Sequence, residues 1–186
     1  MEYVKPPPPT KDPLRPVAPW LVVVTAGGPH GLDRLAAFVA ALPETLPAAV
    51  MAILRGPRPR REQAPRALAR AARLSVVTPY DGEALHPGVC YVADADHGLA
   101  VGLCGEARLV SHHAAEGLVA AVSRAGAART VAVLLDVASK SDLEALGALR
   151  KAGGAVVLND GAAGRGDLSD PAQLARLATA AVGRGD

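Results

Sequence analysis

The sequence predicts an α/β fold: a doubly wound, mainly parallel, Rossmann-like sheet with helices on both faces, plus a small β-hairpin. Short continuous apolar runs, typical of strands buried on both faces, alternate with segments whose apolar residues recur at helical spacing. The 186 residues are enough for one domain with a sizeable core. Hydrophobic residues form 50% of the chain, but it holds one Trp, three Tyr and one Phe, so Ala, Val and Leu dominate the expected core.

Composition divides the chain into a proline-rich leader or linker, residues 1–19, and a domain, residues 20–186. The leader holds seven of the 16 prolines, and Pro6 to Pro9 predict a short polyproline II stretch. Binding of this stretch to a partner and a plain spacer role both stay open.

The folded part is predicted to begin with a strand at residues 21–24, whose uninterrupted apolar run suits the interior of a sheet. After a glycine turn, residues 32–42 carry apolar side chains at helical spacing. The later elements are predicted as strand 48–54, helix 62–73, strand 75–77, a hairpin of strands 89–93 and 99–103, helix 114–125, strand 130–135, helix 140–152, strand 155–158 and helix 171–182.

Local signals mark several boundaries of these elements. Gly153-Gly154 is a C-cap signal for the helix before it. Asp170 stands directly before Pro171 and is the predicted N-cap of the last helix. Three prolines in and near residues 56–61 predict an irregular loop there, at the mouth of a cleft.

Charge, hydropathy and cysteine content exclude several classes of protein. The net charge of +2 gives no global argument for nucleic-acid binding, and no apolar run reaches the roughly 18 residues that would span a membrane. The first residues do not match a signal peptide. Cys90 and Cys104 match no zinc spacing, so we expect reduced, buried thiols in a cytoplasmic protein.

A candidate site follows the first strand, at Thr25-Ala26-Gly27-Gly28-Pro29. Ligands of parallel α/β sheets bind at the carboxyl ends of the strands. Glycines allow the backbone to turn sharply there, and the free N–H groups of the next helix can hold an anion. Taken alone, such a glycine turn is structural more often than functional.

Longer segments place this turn in a wider context. Residues 23–29, VVTAGGP, match a family pattern G-A-S-T-G-G-P, and residues 81–93, DGEALHPGVCYVA, match D-G-x-x-L-x-P-G-x-V-Y-I-A. Residues 42–50 fit L-P…L-P-A-x-V, and residues 152–160 fit A-G-G…Q-D. The chain therefore resembles the catalytic domain of the CheB family, the protein-glutamate methylesterases of bacterial chemotaxis.

The resemblance implies a serine nucleophile, a histidine base and an orienting aspartate, but this chain differs at all three positions. The nucleophile position is Thr25 and the base position is Arg55, which cannot accept a proton at neutral pH. A gap-free count puts the aspartate position on Ser141, with Asp142 one residue later. A late family segment with a G-M-P motif is missing between Gly161 and the last helix.

These departures predict a divergent CheB-like pseudoenzyme that binds a protein, either a chemoreceptor or another chemotaxis-type signalling protein. One alternative is an active or weakly active methylesterase that uses Thr25, with His112 or His113 as a relocated base; solvated loop histidines are the plainer interpretation of that pair. A second alternative is an anion or nucleotide binder. Its cleft would include Ala26, Gly27, Gly28 and Ala138, with Arg55 as the cation.

Two other clusters carry weaker signals. Asp94, Asp96 and His97 lie in a predicted turn, where such residues are common, so no metal site is predicted. Seven arginines lie between residues 55 and 73, and they fit either a solvated helix or a surface for an acidic partner. Few aromatic residues accompany them, which argues against nucleic acid. No cofactor is predicted, and monomer and dimer both stay open.

Overall fold

The structure is a computed structural model that describes residues 20–102, 105–111, 127–136, 139–159 and 170–183. Within those ranges the chain forms eight strands, four helices and one short 3-10 turn, with strands and helices alternating except for four successive strands in the middle. In chain order they are β1 (Trp20–Ala26), α1 (Gly31–Ala40), β2 (Ala48–Leu54), α2 (Arg58–Ala71), β3 (Ser75–Val77), β4 (Val89–Val92), β5 (His97–Val101), β6 (Ala107–Ser111), the 3-10 turn Ala127–Arg129, β7 (Thr130–Leu134), α3 (Lys140–Lys151), β8 (Ala155–Leu158) and α4 (Pro171–Val182).

Six strands form one parallel sheet in the order β3-β4-β2-β1-β7-β8. Strand β1 is central, and its Thr25 lies beside Ile53 of β2 and Leu134 of β7. The order reverses at β1, because the chain builds outward from it first on one side and then on the other. The carboxyl ends of β2, β1 and β7 therefore meet at one edge, where ligand sites of such sheets lie.

Both faces of the sheet are covered. Helices α1, α2 and α4 pack on one face through buried side chains such as Phe38, Leu68 and Leu174. Helix α3 and strands β5 and β6 cover the other face, through residues such as Leu146 and Val101. This confirms the predicted doubly wound α/β fold.

The small hairpin is present, but the predicted pairing was wrong. Strand β4 does not pair with the strand that follows it; it lies inside the parallel sheet between β3 and β2. Cys90, Tyr91 and Val92 are all buried, which suits an interior strand better than an exposed hairpin. Strand β5 pairs instead with β6 in antiparallel fashion, and β6 was not predicted.

The predicted irregular loop at residues 56–61 was also wrong from Arg58 onward. Helix α2 begins there, with Pro57 as its N-cap in an extended conformation and Pro59 in its first turn. Proline fits this turn because its missing N–H would lack an intrahelical partner in any case. The first turn of α2 therefore brings Arg58, Arg60 and Arg61 close to the end of β2.

Both predicted helix boundaries are confirmed. The Asp170 side chain accepts a hydrogen bond from the backbone N–H of Ala172 at 3.1 Å, so it caps α4. Gly153 follows α3 with φ of +91°, a conformation that glycine adopts without steric cost. The predicted helix at residues 114–125 and the leader at residues 1–19 lie outside the described residues. No helix among the described residues is long and apolar enough to cross a bilayer.

Cys90 is the buried thiol of β4, and burial raises its pKa to about 12. At pH 8 about one molecule in ten thousand then carries the thiolate, the form that reacts. We predict that Cys90 in a Cys104→Ser variant resists an aromatic disulfide reagent in the folded protein and reacts at once in denaturant. Rapid labelling without denaturant would contradict the burial; Cys104 itself lies outside the described residues.

Candidate functional site

An ion-pair cluster occupies the carboxyl edge of the sheet, beside β1. Arg55 directly follows β2, Asp136 follows β7, and Asp142 lies in the first turn of α3. Arg55 Nη2 lies 2.8 Å from Asp136 Oδ1, and Arg55 Nη1 lies 2.7 Å from Asp142 Oδ2. The backbone N–H of Arg55 donates to the carbonyl of Ala26 at 2.8 Å, which ties the cluster to the end of β1. One cation is thus shared by two carboxylates.

Asp142 is the most enclosed member of the cluster, because its side chain is fully buried. The same Oδ2 that contacts Arg55 also accepts hydrogen bonds from the Ser139 backbone N–H at 2.9 Å and the Ser139 hydroxyl at 2.7 Å. Ser139 is the N-cap of α3, and the two residues form a capping box. Oδ1 of Asp142 has no hydrogen-bond partner within the described part of the chain.

The two carboxyl groups respond differently to this environment. Burial alone would raise the pKa of Asp142, but hydrogen bonds from Ser139 and the charge of Arg55 lower it below its usual range. For Asp136, burial outweighs Arg55, and the negative charge of Asp142 adds to it, so the pKa rises. The pKa of Arg55 is raised because the two carboxylates outweigh the opposing effect of its burial. The cluster at pH 7 therefore holds a fixed guanidinium that cannot act as a base.

Gly27 is what allows the end of β1 to approach this cluster. A Cβ atom at position 27 would lie 2.7 Å from Asp136 Oδ2 and 3.4 Å from Arg55 Cβ. Any side chain there would displace the carboxylate from the arginine. The glycine turn therefore serves the ion pair, which the sequence pattern alone could not indicate.

Thr25, at the nucleophile position, is completely buried in β1. Its Oγ1 has no hydrogen-bond partner, so among the described residues no histidine or carboxylate lies within hydrogen-bond reach of it. A general base must reach the hydroxyl directly or through one water to activate it. Among the described residues, therefore, nothing is placed to activate the buried Thr25 hydroxyl as a nucleophile.

The unpaired hydroxyl of Thr25 carries a stability cost that leads to a prediction. Valine has nearly the same shape as threonine, so Thr25→Val replaces a buried hydroxyl that lost its hydrogen bonds to water on folding with a methyl group that needs none. We expect the free energy of unfolding to rise by about 1 kcal/mol in urea titrations. Thr179→Val is the matched control, because the Thr179 hydroxyl donates to the Ala175 carbonyl at 2.9 Å. We expect that control to lose stability, and a Thr25→Val variant that is no more stable than the parent protein would contradict the prediction.

The two candidates for the aspartate position have different contacts. Asp142 contacts Arg55, whereas the Ser141 hydroxyl lies 2.9 Å from the Ser139 hydroxyl. Ala138, His112 and His113 lie outside the described residues. Ala26 is fully buried at the end of β1, and Gly28 accepts a hydrogen bond from Arg60 Nη1 through its carbonyl at 2.6 Å.

The arginine-rich segment and the Asp94, Asp96 and His97 cluster both form ion pairs. Arg58 pairs with Glu62 at 2.9 Å and with Asp96 at 2.7 Å, so part of the arginine-rich segment is already neutralised. The His97 ring Nδ1 lies 2.8 Å from Asp94 Oδ1. Among the described residues, no group of three or more His, Cys, Asp or Glu side chains could hold a metal ion.

Asp136 was missed by the sequence analysis. It follows the buried run of β7 directly, at a strand end where polar side chains collect, and that position was an available signal. Its contact with Arg55 joins residues 81 apart in the chain, a separation that no local pattern reveals.

The fold and this edge define a class of protein: a doubly wound α/β domain with polar side chains gathered at the carboxyl edge of its parallel sheet, beside the central strand β1. The family model described as CheB methylesterase matches residues 20–165, and the chain belongs to that family.

Two relatives illustrate the likeness. The chain is 33% identical over 170 residues to protein-glutamate methylesterase/protein-glutamine glutaminase 3 of Anaeromyxobacter dehalogenans (strain 2CP-C). That match covers 87% of this chain and 49% of the relative, so the chain spans about half the length of this curated relative. The crystal structure of the Thermotoga maritima CheB methylesterase catalytic domain superposes with a TM-score of 0.60 at 21% identity, and covers 73% of this chain and 77% of that one.

Proposed function

We propose that this chain is a CheB-fold domain that has lost ester hydrolysis and acts by binding a protein in a chemotaxis-type signalling pathway of the cytoplasm. The observation that carries the proposal is the Arg55 ion pair. In the family this position belongs to the base, and here it holds a side chain that stays protonated at every physiological pH.

The contacts of Arg55 strengthen this argument. Because Asp136 and Asp142 both bind the guanidinium, the side chain is held in place and does not swing aside for a substitute base. Thr25 Oγ1 is buried and, among the residues that the structure describes, has no partner that could accept its proton. Loss of the base alone removes several orders of magnitude of rate in serine hydrolases.

One observation favours the alternative of a weakly active methylesterase. Asp142 remains beside the base position, as an orienting carboxylate would. That carboxylate now binds an arginine, so it has no histidine to orient. Activity would need a base from residues other than those described around Thr25.

The alternative of an anion binder built on Gly27, Gly28 and Arg55 is disfavoured by charge. Arg55 has two carboxylate partners, so the cluster as a whole has a formal charge of −1. An added anion at that point would meet net repulsion.

Methyl-ester hydrolysis tests the proposal directly. Methanol release from methylated chemoreceptor is measured with this protein, with its Thr25→Ala variant and with the Thermotoga maritima CheB catalytic domain as the positive control. We expect the first two to match the protein-free rate, and the positive control to exceed them by at least about a thousandfold. Hydrolysis by this protein that disappears in Thr25→Ala would overturn the proposal.

The binding half of the proposal needs its own measurement. We expect the protein to co-sediment with chemoreceptor-containing membranes and to do so equally in Thr25→Ala, because no hydrolysis is involved. The surface we propose for an acidic partner consists of three exposed arginines: Arg66 and Arg70 in the second half of α2, and Arg73 just after it. A triple Gln variant at these positions that still co-sediments fully would remove this surface from the proposal.

A further inference from the structure

A cavity of about 480 Å³ lies beside Arg55, at the carboxyl ends of β2 and β4. The first turn of α2, the start of β5 and the first turn of α3 complete its walls, and no described residue of β1 lines it. Its volume falls in the range of small-molecule sites. It is therefore a space separate from the buried hydroxyl of Thr25.

Most of the wall is apolar. Ile53 is half-buried at the end of β2, and Val92 and Leu99 are buried in β4 and β5. Such a lining favours the apolar body of an organic molecule over a fully hydrated ion.

Arg61 supplies a charged group to this wall. Two of its guanidinium nitrogens, Nε and Nη1, are buried and have no hydrogen-bond partner among the residues that the structure describes. Leaving charged donors out of water without a partner is costly, and an acceptor in the cavity would remove that cost. Its neighbours Arg55, Arg58 and Arg60 are all bound to protein groups.

The charges around the cavity indicate how much negative charge it can take. Arg55 also lines it, but its two partners Asp136 and Asp142 leave that cluster with a formal charge of −1, so Arg55 supplies no cation for a ligand. Asp94 lies on the wall and accepts from the His97 ring. Although burial alone would raise the pKa of Asp94, hydrogen bonds from His97 and from the Asp96 backbone hold it below its usual range, so it stays a carboxylate. Arg61 is thus the cation left to meet a ligand, which suits one negative charge rather than two.

We propose that this cavity binds a small organic monoanion, a carboxylate with an apolar body, with Arg61 as the residue that holds the carboxylate. The apolar part lies against Ile53, Val92 and Leu99, and the Ser141 hydroxyl on the same wall offers a further donor. The cavity shares Arg55 with the proposed loss of hydrolysis, but the ligand is held by Arg61 and the Thr25 hydroxyl takes no part. Either idea can fail while the other holds.

The chain carries its own reporter for this site, because Ile53 is its sole isoleucine. Labelling the isoleucine δ-methyl with carbon-13 yields one NMR signal, from a residue on the cavity wall. Benzoate serves as the probe, benzamide as its neutral counterpart and inorganic phosphate as a hydrophilic anion. We expect the signal to shift saturably with benzoate, and benzamide to bind at least about tenfold more weakly.

Variants then assign the binding to Arg61. Arg61→Gln is expected to weaken benzoate binding by at least about tenfold, whereas Arg70→Gln, the same change at an exposed position of the same helix, leaves it unchanged. Ala93→Leu fills the cavity from the apolar side and is expected to abolish the shift, which keeps the test valid if Arg61→Gln does not fold. Thermal melting establishes that each variant is folded.

Several outcomes would overturn the proposal. No saturable shift with benzoate at millimolar concentration would mean that the cavity does not take such ligands. Equal binding of benzamide would remove the requirement for charge, and equal loss in Arg70→Gln would point to general surface charge. Binding of phosphate without benzoate would contradict the apolar organic ligand.

Discussion

Arg55→Gln is expected to lower the free energy of unfolding by about 2–3 kcal/mol at pH 7. The variant keeps both carboxylates but removes the cation between them. Asp142 then stays fully buried with its negative charge, and Asp136 nearby adds a like charge. Breaking a fully buried pair costs about 3–5 kcal/mol, and the 28% exposure of the Arg55 side chain reduces that figure.

Arg58→Gln is the matched control for this variant. Arg58 also pairs with two carboxylates, Glu62 and Asp96, but all three side chains are more than half exposed. We expect its urea midpoint to stay close to that of the parent protein, because water screens such pairs. Equal losses in the two variants would mean that burial does not strengthen the Arg55 cluster.

The pH dependence of Arg55→Gln provides a second check. Without the cation, the folded-state pKa values of Asp136 and Asp142 both move up relative to those in the parent protein. The two carboxylates then stabilise the fold less when ionised, so the stability deficit is greatest at neutral pH and shrinks as the pH falls and both groups become protonated. A deficit that grows on acidification would contradict this explanation.

The fold was predictable because most of its signals are local. Buried strands such as β1 and β7 are continuous apolar runs, and Asp170 and Gly153 mark helix ends by their own chemistry. The partner of β4 was not predictable in this way, since a strand cannot reveal from its own residues whether it joins its neighbour or a distant strand. The loop predicted at residues 56–61 was wrong because proline breaks a helix in its interior but fits its first turn, and the sequence does not reveal which position the proline occupies.

The site was predictable to the extent that motifs mark it. Thr25 and Arg55 were found as nucleophile and base positions by resemblance, and they lie on adjacent strand ends. The contacts that decide their chemistry were not visible, because Arg55 and Asp142 are 87 residues apart. Arg61 was one arginine among seven in the segment from residue 55 to residue 73, and it stands out because two of its guanidinium nitrogens are buried with no hydrogen-bond partner among the described residues.

Asp142→Asn is expected to cost about 2–3 kcal/mol at pH 7, and Asp136→Asn at least about 1 kcal/mol less. Three donors converge on Oδ2 of Asp142, and hydrogen bonds to a charged acceptor are the stronger ones. Asparagine keeps an acceptor but loses the charge. Asp136 binds Arg55 alone among the contacts described for its side chain, and its ionised form is already disfavoured by burial.

The two carboxylates are expected to affect the free energy of unfolding differently at acid pH. Because the folded-state pKa of Asp142 lies below its ordinary value of 3.8, its charge stabilises the fold above that pH, and the contribution disappears as the pH falls through the folded value. The gap between the parent protein and Asp142→Asn should therefore close in strong acid. The pKa of Asp136 is raised, so its ionisation opposes folding as the pH rises, and Asp136→Asn should flatten the curve above pH 3.8. Urea titrations of both variants from acid to neutral pH measure this contrast, and identical curves would show that the two carboxylates share the arginine equally.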